Sequence, residues 1–214
     1  MDLKIIYEDE QLLVCYKPAG VATQTKRLGQ QDMESLLKNN RASKGEPSYI
    51  GVVHRLDQPV EGVMVFAKTK EAASDLSRQV QMKEADKFYY AVTDGVPAEK
   101  TGSLEDYLLR DGRTNTSKVV KEGTAGAKKA RLSYEVLAED GTHAILKIQL
   151  DTGRHHQIRV QLANAGYPIV GDRKYNVDAA AVSDGGLKLC SYKIGFVHPK
   201  THKKMEFEIE NPYA

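Results

Sequence analysis

The chain contains 214 residues, of which 41% are hydrophobic and 28% are charged, and its formal net charge at pH 7 is +2. These values are typical of a soluble globular protein with a sizeable core, and they neither require nor exclude a nucleic-acid partner. No run of about 18 apolar residues occurs, which excludes a membrane-spanning helix. The start, MDLKIIYEDE, lacks the pattern of a secretory signal. We therefore expect one cytoplasmic domain over residues 1–214, and we expect it to be a monomer.

The first half of the chain predicts short strands with two helices between them. LKIIYEDEQLLVCYKPAG indicates two strands joined by an acidic turn and stopped by proline and glycine. DMESLLKNN predicts a short helix with Asp32 near its start. VVHRL and GVMVFAKT predict strands on either side of the turn DQPVEG. KEAASDLSRQVQMKEA predicts an amphipathic helix, whose apolar face comprises Ala72, Leu76, Val80 and Met82.

The second half is richer in strands. KFYYAVTDG predicts a strand, ARLSYEVLAEDGTHAILKIQL a hairpin turning at Asp140 and Gly141, and HQIRVQLANAG a helix ending at Gly166. LKLCSYKIGFVHP and KKMEFEIE predict the terminal strands. Many neighbouring strands with few helices indicate an α+β fold with a mixed, largely antiparallel central sheet, flanked by helices and loops.

Two further features of composition bear on the fold and its partners. Cys15 and Cys190 lie in the apolar runs LLVCY and LKLCSY, which favours reduced core residues over a disulfide. The segment 110–131, RDGRTNTSKVVKEGTAGAKKAR, is basic and poor in apolar residues. It is either a solvated flexible loop or a mobile basic arm that meets phosphate.

Asp57 is the first candidate for a reactive residue. It precedes Gln, Pro, Val, Glu and Gly, which is a pattern typical of a turn. If the strand continued to this point, Arg55 and Asp57 would share one face, with His54 and Leu56 on the other. Strand ends often carry sites, so Asp57 is either a turn residue or a reactive carboxylate.

The segment 151–172, DTGRHHQIRVQLANAGYPIVGD, is the second candidate. A helix starting near Arg154 or His155 would present free N–H groups in its first turn and would place His155 and Arg159 on one face. Arg159 lies among apolar residues and needs an anionic partner, for which Asp57 is a candidate. A structural salt bridge or a backbone-capping arginine is the alternative.

Other chemistries have weaker signals. His155 and His156 are adjacent and would point about 100° apart on a helix, and neither HExxH nor CxxC occurs, so we expect no metal. No G-x-S-x-G nucleophile motif is present. Tyr89 and Tyr90 would lie on opposite faces of a strand, where one could pack in the core or stack on a base.

Four blocks of the sequence resemble the RluA-type pseudouridine synthases, in family order from about residue 6 to residue 209. HRLDQPVEGVMVFAKT resembles the family signature HRLD-x-x-T-S-G followed by an apolar run and A-K-T. GRHHQIRVQLANAGYPIVGDRKY resembles the block GRTHQIRVHLA-x-x-G-x-P-I-x-G-D-x-x-Y. EDEQLLVCYKPAGVATQ and KFYYAVTDG are similar to its N-terminal block and to its K-x-Y-x-A strand.

The resemblance implies a pseudouridine synthase catalytic domain that isomerises uridine in structured tRNA or rRNA, without a cofactor, metal or membrane. It implies that Asp57 is the catalytic aspartate, that Tyr89 lies against the uracil ring and that Arg159 pairs with Asp57. It also implies that Arg55 helps to displace the target base. We expect His54, His156 and Gln157 to contact the substrate beside Arg55.

The sequence departs from the family pattern beside the aspartate. Pro59, Val60 and Glu61 replace the usual residues there, His155 replaces a threonine and Gln161 a histidine. The S4-like N-terminal RNA-binding domain of many members is not expected. Two alternatives to the enzyme hypothesis are a non-catalytic RNA-binding module or chaperone on the same fold, and a hydrolase of another nucleoside or phosphoester.

Overall fold

The computed structural model describes residues 3–25, 29–176 and 186–214. Within them the chain forms two compact units. The first is built from the described parts of Met1–Lys87 and from Ser191–Glu210, and the second from the described parts of Phe88–Cys190 and from Asn211–Ala214. The first unit contains these elements: β1 (Ile5–Glu8), β2 (Leu12–Lys17), α1 (Met33–Ser43), β3 (Gly51–Val52), β4 (Glu61–Ala67), α2 (Lys70–Gln81) and β11 (Lys204–Glu208).

The remaining elements belong wholly or mainly to the second unit or cross the boundary. The second unit contains β6 (Thr101–Asp111), β7 (Thr116–Val120), β8 (Lys128–Glu139), β9 (His143–Leu150) and α3 (Gln157–Asn164). Two strands have residues in both units, β5 (Asp86–Asp94) and β10 (Leu189–Val197). The predicted α+β class is confirmed, with three helices among the described residues.

The sheet of the first unit runs in the order β1, β2, β4 and β10, with β3 on β4 and β11 on β10. Strands β2 and β4 are nearly continuous runs of buried residues, and every second residue faces the side of the sheet that packs against α2. The resulting core contains Leu12, Val14, Val63, Val65, Ala72, Leu76, Ile194 and Phe196. Ala72 and Leu76 are buried, as predicted for the apolar face of α2. Met82 is instead 66% exposed, because the helix ends at Gln81 and Met82 no longer lies on a helical face.

Helix α1 begins where the sequence predicts. Its cap residue Asp32 accepts a hydrogen bond from the backbone N–H of Ser35 at 2.8 Å, and Ser35 Oγ accepts one from the N–H of Asp32 at 3.1 Å. This reciprocal pair satisfies two backbone donors at the helix N-terminus. The start of α1 is therefore well fixed.

The second unit has the antiparallel strand order β5, β9, β8, β6 and β7. The predicted hairpin is confirmed, because β8 ends at Glu139 and β9 starts at His143. Its turn is capped by Asp140 Oδ1, which accepts the N–H groups of Thr142 and His143 at 2.8 and 2.7 Å. The two cysteines are buried, as expected for core residues.

The interpretation of residues 110–131 as a flexible loop or mobile arm is wrong. This segment forms the end of β6, all of β7 and the start of β8. Its strands carry many polar side chains because much of this part of the sheet is exposed, so hydrophobic content is a poor guide here. The β-branched residues Thr116, Val119 and Val120 are the feature of the sequence that could have indicated strand β7.

Two other sequence expectations need correction. Strand β3 ends at Val52, so His54 and Arg55 lie in a loop and the strand alternation proposed for Arg55 and Asp57 does not apply. Helix α3 starts at Gln157, because His156 adopts a left-handed backbone with φ of 53°. His155 therefore does not share a helical face with Arg159. Among the described residues, no helix is long and apolar enough to cross a membrane.

Gly62 gives a direct test of the packing around β4. Its φ is +125°, and a Cβ at this position would overlap the carbonyl oxygen of Ser191 and lie 2.6 Å from the Ser191 nitrogen. We expect Gly62→Ala to lower the free energy of unfolding by at least about 3 kcal/mol, since a backbone collision is added to conformational strain. Urea unfolding followed by circular dichroism measures this change.

Gly45→Ala is the matched control. Gly45 also has a positive φ, +73°, but nothing lies within 4 Å of the added Cβ. This variant should lose only about 1–2 kcal/mol from backbone strain. Equal losses in the two variants would contradict the close approach of Gly62 to Ser191.

Candidate active site

Asp57 lies in the loop of residues 53–60 between β3 and β4. Its carbonyl oxygen accepts the N–H of Val60 at 3.0 Å, so Asp57 is the first residue of a turn. Leu56 and Val60 are 7% and 3% exposed, and they anchor the loop to the core on both sides. The Asp57 side chain is partly exposed. Asp57 is therefore a turn residue by its backbone, while its carboxylate lies at the surface of an anchored loop.

Lys17 is the residue of this region that the sequence analysis missed. It ends the apolar strand β2 and is 0% exposed. Its Nζ donates to the carbonyl oxygens of Pro18, Val21 and Gln58 at 3.1, 2.7 and 3.2 Å. A charged residue closing a run of buried apolar residues was the signal that could have identified it.

Burial also changes the acidity of this lysine. It lowers the pKa of Lys17 to about 8, because the ammonium is removed from water, while the negative charges of Asp57 and Glu61 act in the opposite direction. Glu61 in turn accepts a hydrogen bond from the Tyr16 hydroxyl at 2.6 Å. This region of the first unit therefore contains two carboxylates, those of Asp57 and Glu61, and one buried cation.

His54 is held in a defined protonation state. The N–H of Val65 donates to its Nε2 at 3.2 Å, so the ring proton belongs on Nδ1. Burial, with a smaller contribution from the Lys87 charge, lowers the pKa of His54 to about 3. Its buried Nδ1 has no hydrogen-bond partner among the described residues. Arg55, the next residue, is exposed.

The first unit therefore holds three of the predicted site residues, His54, Arg55 and Asp57. The other four, Tyr89, His156, Gln157 and Arg159, belong to the second unit. Tyr89 lies on β5 opposite Ile148 of β9 and is 7% exposed, whereas Tyr90 is partly exposed. The predicted difference between the two tyrosine faces is thus confirmed, with Tyr89 on the buried side.

Arg159 is buried in α3 and has a carboxylate partner within its own unit. Its Nε and one terminal nitrogen bond the two carboxylate oxygens of Asp172, each at 2.7 Å, and both side chains are at least 95% buried. The guanidinium also lies 5.2 Å from the ring centre of Tyr175. No role for Asp172 was predicted from the sequence, although it lies in the motif G-D-x-x-Y. The proposed pairing of Arg159 with Asp57 stays a prediction.

His156 is the cap residue before this helix, and Gln157 is its first residue. His156 Nδ1 lies 2.7 Å from the Tyr175 hydroxyl, and its ring stacks on that of His155 at 3.8 Å between centres. Gln157 accepts from the Thr152 hydroxyl at 2.7 Å and donates to the Arg131 carbonyl at 3.0 Å. These bonds join the start of α3 to Thr152 and Arg131, so Gln157 has a structural role. Its contact with substrate stays a prediction.

The lowered pKa of Lys17 has a consequence for stability. Between pH 8 and the ordinary lysine value of 10.5, the unfolded chain binds more protons at this residue than the folded chain. The stability of the wild type relative to Lys17→Met should therefore rise through this range, by up to about 1.4 kcal/mol per pH unit. Urea unfolding at pH 7, 8, 9 and 10 measures the difference.

Thr69→Val provides the control for that series. The Thr69 hydroxyl caps α2 by accepting the N–H of Ala72 at 3.1 Å, and its loss removes no titratable group. The stability difference between this variant and the wild type should not change with pH. A pH-independent difference for Lys17→Met as well would contradict a lowered pKa at Lys17.

Comparison with known proteins identifies the family. The sequence pattern of the family described as RNA pseudouridylate synthase matches residues 11–164. The dual-specificity RNA pseudouridine synthase RluA of Vibrio parahaemolyticus is 34% identical over 92% of this chain and 79% of its own length. The ribosomal large subunit pseudouridine synthase D of Neisseria meningitidis is 34% identical over 99% of this chain and 59% of its own length.

A solved structure has the same fold. The human RNA pseudouridylate synthase domain containing 1 superposes with a TM-score of 0.82 at 23% identity, covering 100% of this chain and 85% of its own. The ordered sequence blocks, the family pattern and the relatives agree. The chain belongs to the RNA pseudouridylate synthase family, as an RNA pseudouridine synthase of the RluA type.

Proposed function

We propose that this protein isomerises uridines of tRNA or rRNA to pseudouridine with Asp57 as the catalytic carboxylate. The observation that carries the proposal is the placement of Asp57 on a loop that is anchored on both sides. Leu56 and Val60 are buried, and Gln58 is bonded to Lys17, while the Asp57 side chain is partly exposed. A reactive group needs this combination of fixed backbone and accessible side chain.

The reaction requires no change of oxidation state. The bond between N1 of uracil and C1′ of the ribose breaks, the base turns while it is held, and C5 bonds to C1′. The hydrogen at C5 then leaves as a proton, and N1 gains one. A single carboxylate can begin this sequence, either by attacking C1′ or by removing a proton from C2′.

A buried positive charge lies near Asp57 in the first unit. The Lys17 ammonium attracts the carboxylates of Asp57 and Glu61, and Glu61 is held by the Tyr16 hydroxyl. Arg55 is exposed on the same loop. We assign it to displacement of the target base, because a uridine in folded RNA must leave the stack before its C1′ is accessible.

We assign the buried residues of the second unit to the base and to the carboxylate. Tyr89 would lie against the uracil ring, and Arg159 would pair with Asp57. Support for a fixed Arg159 comes from its bidentate bond to Asp172 and its position over Tyr175. A guanidinium carries five N–H donors, so a second carboxylate can be bound by the same group. His54, His156 and Gln157 complete the assigned substrate contacts.

Charge supports RNA as the substrate, and the name of one relative supports a choice of which RNA to test first. Residues 110–131 carry seven lysines and arginines against two acids, which is a net charge of +5 in a chain whose total is +2. Exposed cations on these strands suit the phosphates of structured RNA. Because one relative is named a ribosomal large subunit enzyme, rRNA is the first RNA to test, followed by tRNA.

The decisive variant is Asp57→Asn. We expect it to reduce tritium release from RNA containing [5-³H]uridine by at least about 10³-fold, since the proposed reactive carboxylate is lost. The substrate is total RNA from cells that lack this protein, later separated into rRNA and tRNA. RNA binding, measured by filter retention, should change little.

Asp140→Asn is the matched control, because Asp140 is also a turn aspartate but caps the β8–β9 hairpin. This variant should keep wild-type turnover. Wild-type turnover in Asp57→Asn would show that Asp57 is only a turn residue. Binding without tritium release in the wild type would favour a binding module over an enzyme on these RNAs.

A further inference from the structure

The side chain of Thr23 bonds both backbone groups of the residue before Asp57. Its Oγ accepts the N–H of Leu56 at 3.1 Å and donates to the carbonyl oxygen of Leu56 at 3.0 Å. Thr23 is 3% exposed, so this contact lies inside the first unit. We infer that Thr23 is a positioning residue, which fixes the direction in which the Asp57 side chain projects from the loop. The inference rests on the proposed role of Asp57 as the catalytic carboxylate.

The residue after Asp57 is restrained from the same segment. Gly20 N–H donates to the Gln58 carbonyl at 2.9 Å, and Gln58 Nε2 donates back to the Gly20 carbonyl at 2.9 Å. Lys17 Nζ adds a second bond to the Gln58 carbonyl at 3.2 Å. Residues 17–23 therefore hold the chain immediately before and immediately after Asp57.

This segment is itself fixed by helix α1. The first two helical N–H groups, of Met33 and Glu34, donate to the carbonyls of Ala22 and Thr23 at 2.9 and 3.2 Å. The N–H of Thr25 donates to Asp32 Oδ2 at 2.6 Å. Helix N-termini leave such donors unused within the helix, and here they tie Thr23 to a rigid element.

Loss of the Thr23 hydroxyl should affect the chemical step more than RNA binding. A buried N–H and C=O of Leu56 would lose their partner, and the backbone next to Asp57 would be released on that side. A displacement of about 1 Å at a reacting group can cost about 10²-fold in rate. Because Thr23 is buried, its removal leaves the RNA-facing surface intact, so kcat should fall while KM stays near the wild-type value.

The test uses Thr23→Val, which keeps the shape of the side chain, and Thr23→Ser, which keeps the hydroxyl. We expect kcat for tritium release to fall about 10-fold or more in Thr23→Val, with KM within about twofold of wild type. Thr23→Ser should restore most of kcat. Thr23→Cys has a weaker donor and acceptor, should give an intermediate kcat, and replaces the valine variant if that variant does not fold.

Thr69→Val serves as the control, because it removes a capping hydroxyl from α2 in the same unit without touching the loop. It should lose stability but keep wild-type kcat. Wild-type kcat in Thr23→Val or Thr23→Cys, with Asp57→Asn inactive, would overturn the inference and leave the proposed function standing. Equal loss of kcat in Thr69→Val would also overturn it, because general destabilisation would then explain the effect. Full activity in Asp57→Asn would instead remove the proposed function and the inference together.

Discussion

The buried ammonium of Lys17 is the constraint on which the first unit depends. A cation removed from water is stable only where acceptors replace its hydration shell, and here three backbone carbonyls do so. Two of these carbonyls, from Pro18 and Val21, belong to the segment that follows β2, which turns back toward the ammonium. The third, from Gln58, belongs to the Asp57 loop. The Lys17 ammonium therefore holds together two segments of the chain, and its bond to Gln58 spans 41 residues.

The second unit uses the same principle with a different pair. Arg159 and Asp172 are both buried, and their bidentate contact joins α3 to the loop that follows it. Breaking such a pair from one side leaves an uncompensated charge in the core. Each unit is therefore organised around a buried cation, and in each unit that cation comes from a sequence block that resembles the family.

Sequence periodicity predicted most elements because strongly amphipathic segments have only one good way to bury their apolar faces. Helix α2, the β8–β9 hairpin and the cap at Asp32 are examples. It failed where exposure removes the apolar signal, as in β7, and where a local backbone conformation overrides periodicity, as at His156 with its positive φ. Asp57 and Arg159 could be proposed from residue type and resemblance.

The partners of these residues could not be proposed in the same way. Lys17, Thr23 and Asp172 act through contacts with residues 13 to 41 positions away, and such pairings depend on tertiary structure. A lysine after an apolar strand or an aspartate after a glycine has many possible partners. Only the tertiary fold determines which partner is used, and the local sequence around the residue does not identify it.

The restraints around Asp57 act on main-chain atoms, which gives the loop unusual freedom to diverge. Thr23 bonds the N–H and C=O of Leu56, and Lys17 and Gly20 bond the C=O of Gln58. Every residue type offers that carbonyl, so the exposed side chain at position 58 can be exchanged while both bonds to the carbonyl remain, whereas Val60 must stay apolar to keep its anchor in the core. The side chain at position 58 can therefore change its chemistry while the proposed catalytic aspartate keeps its position.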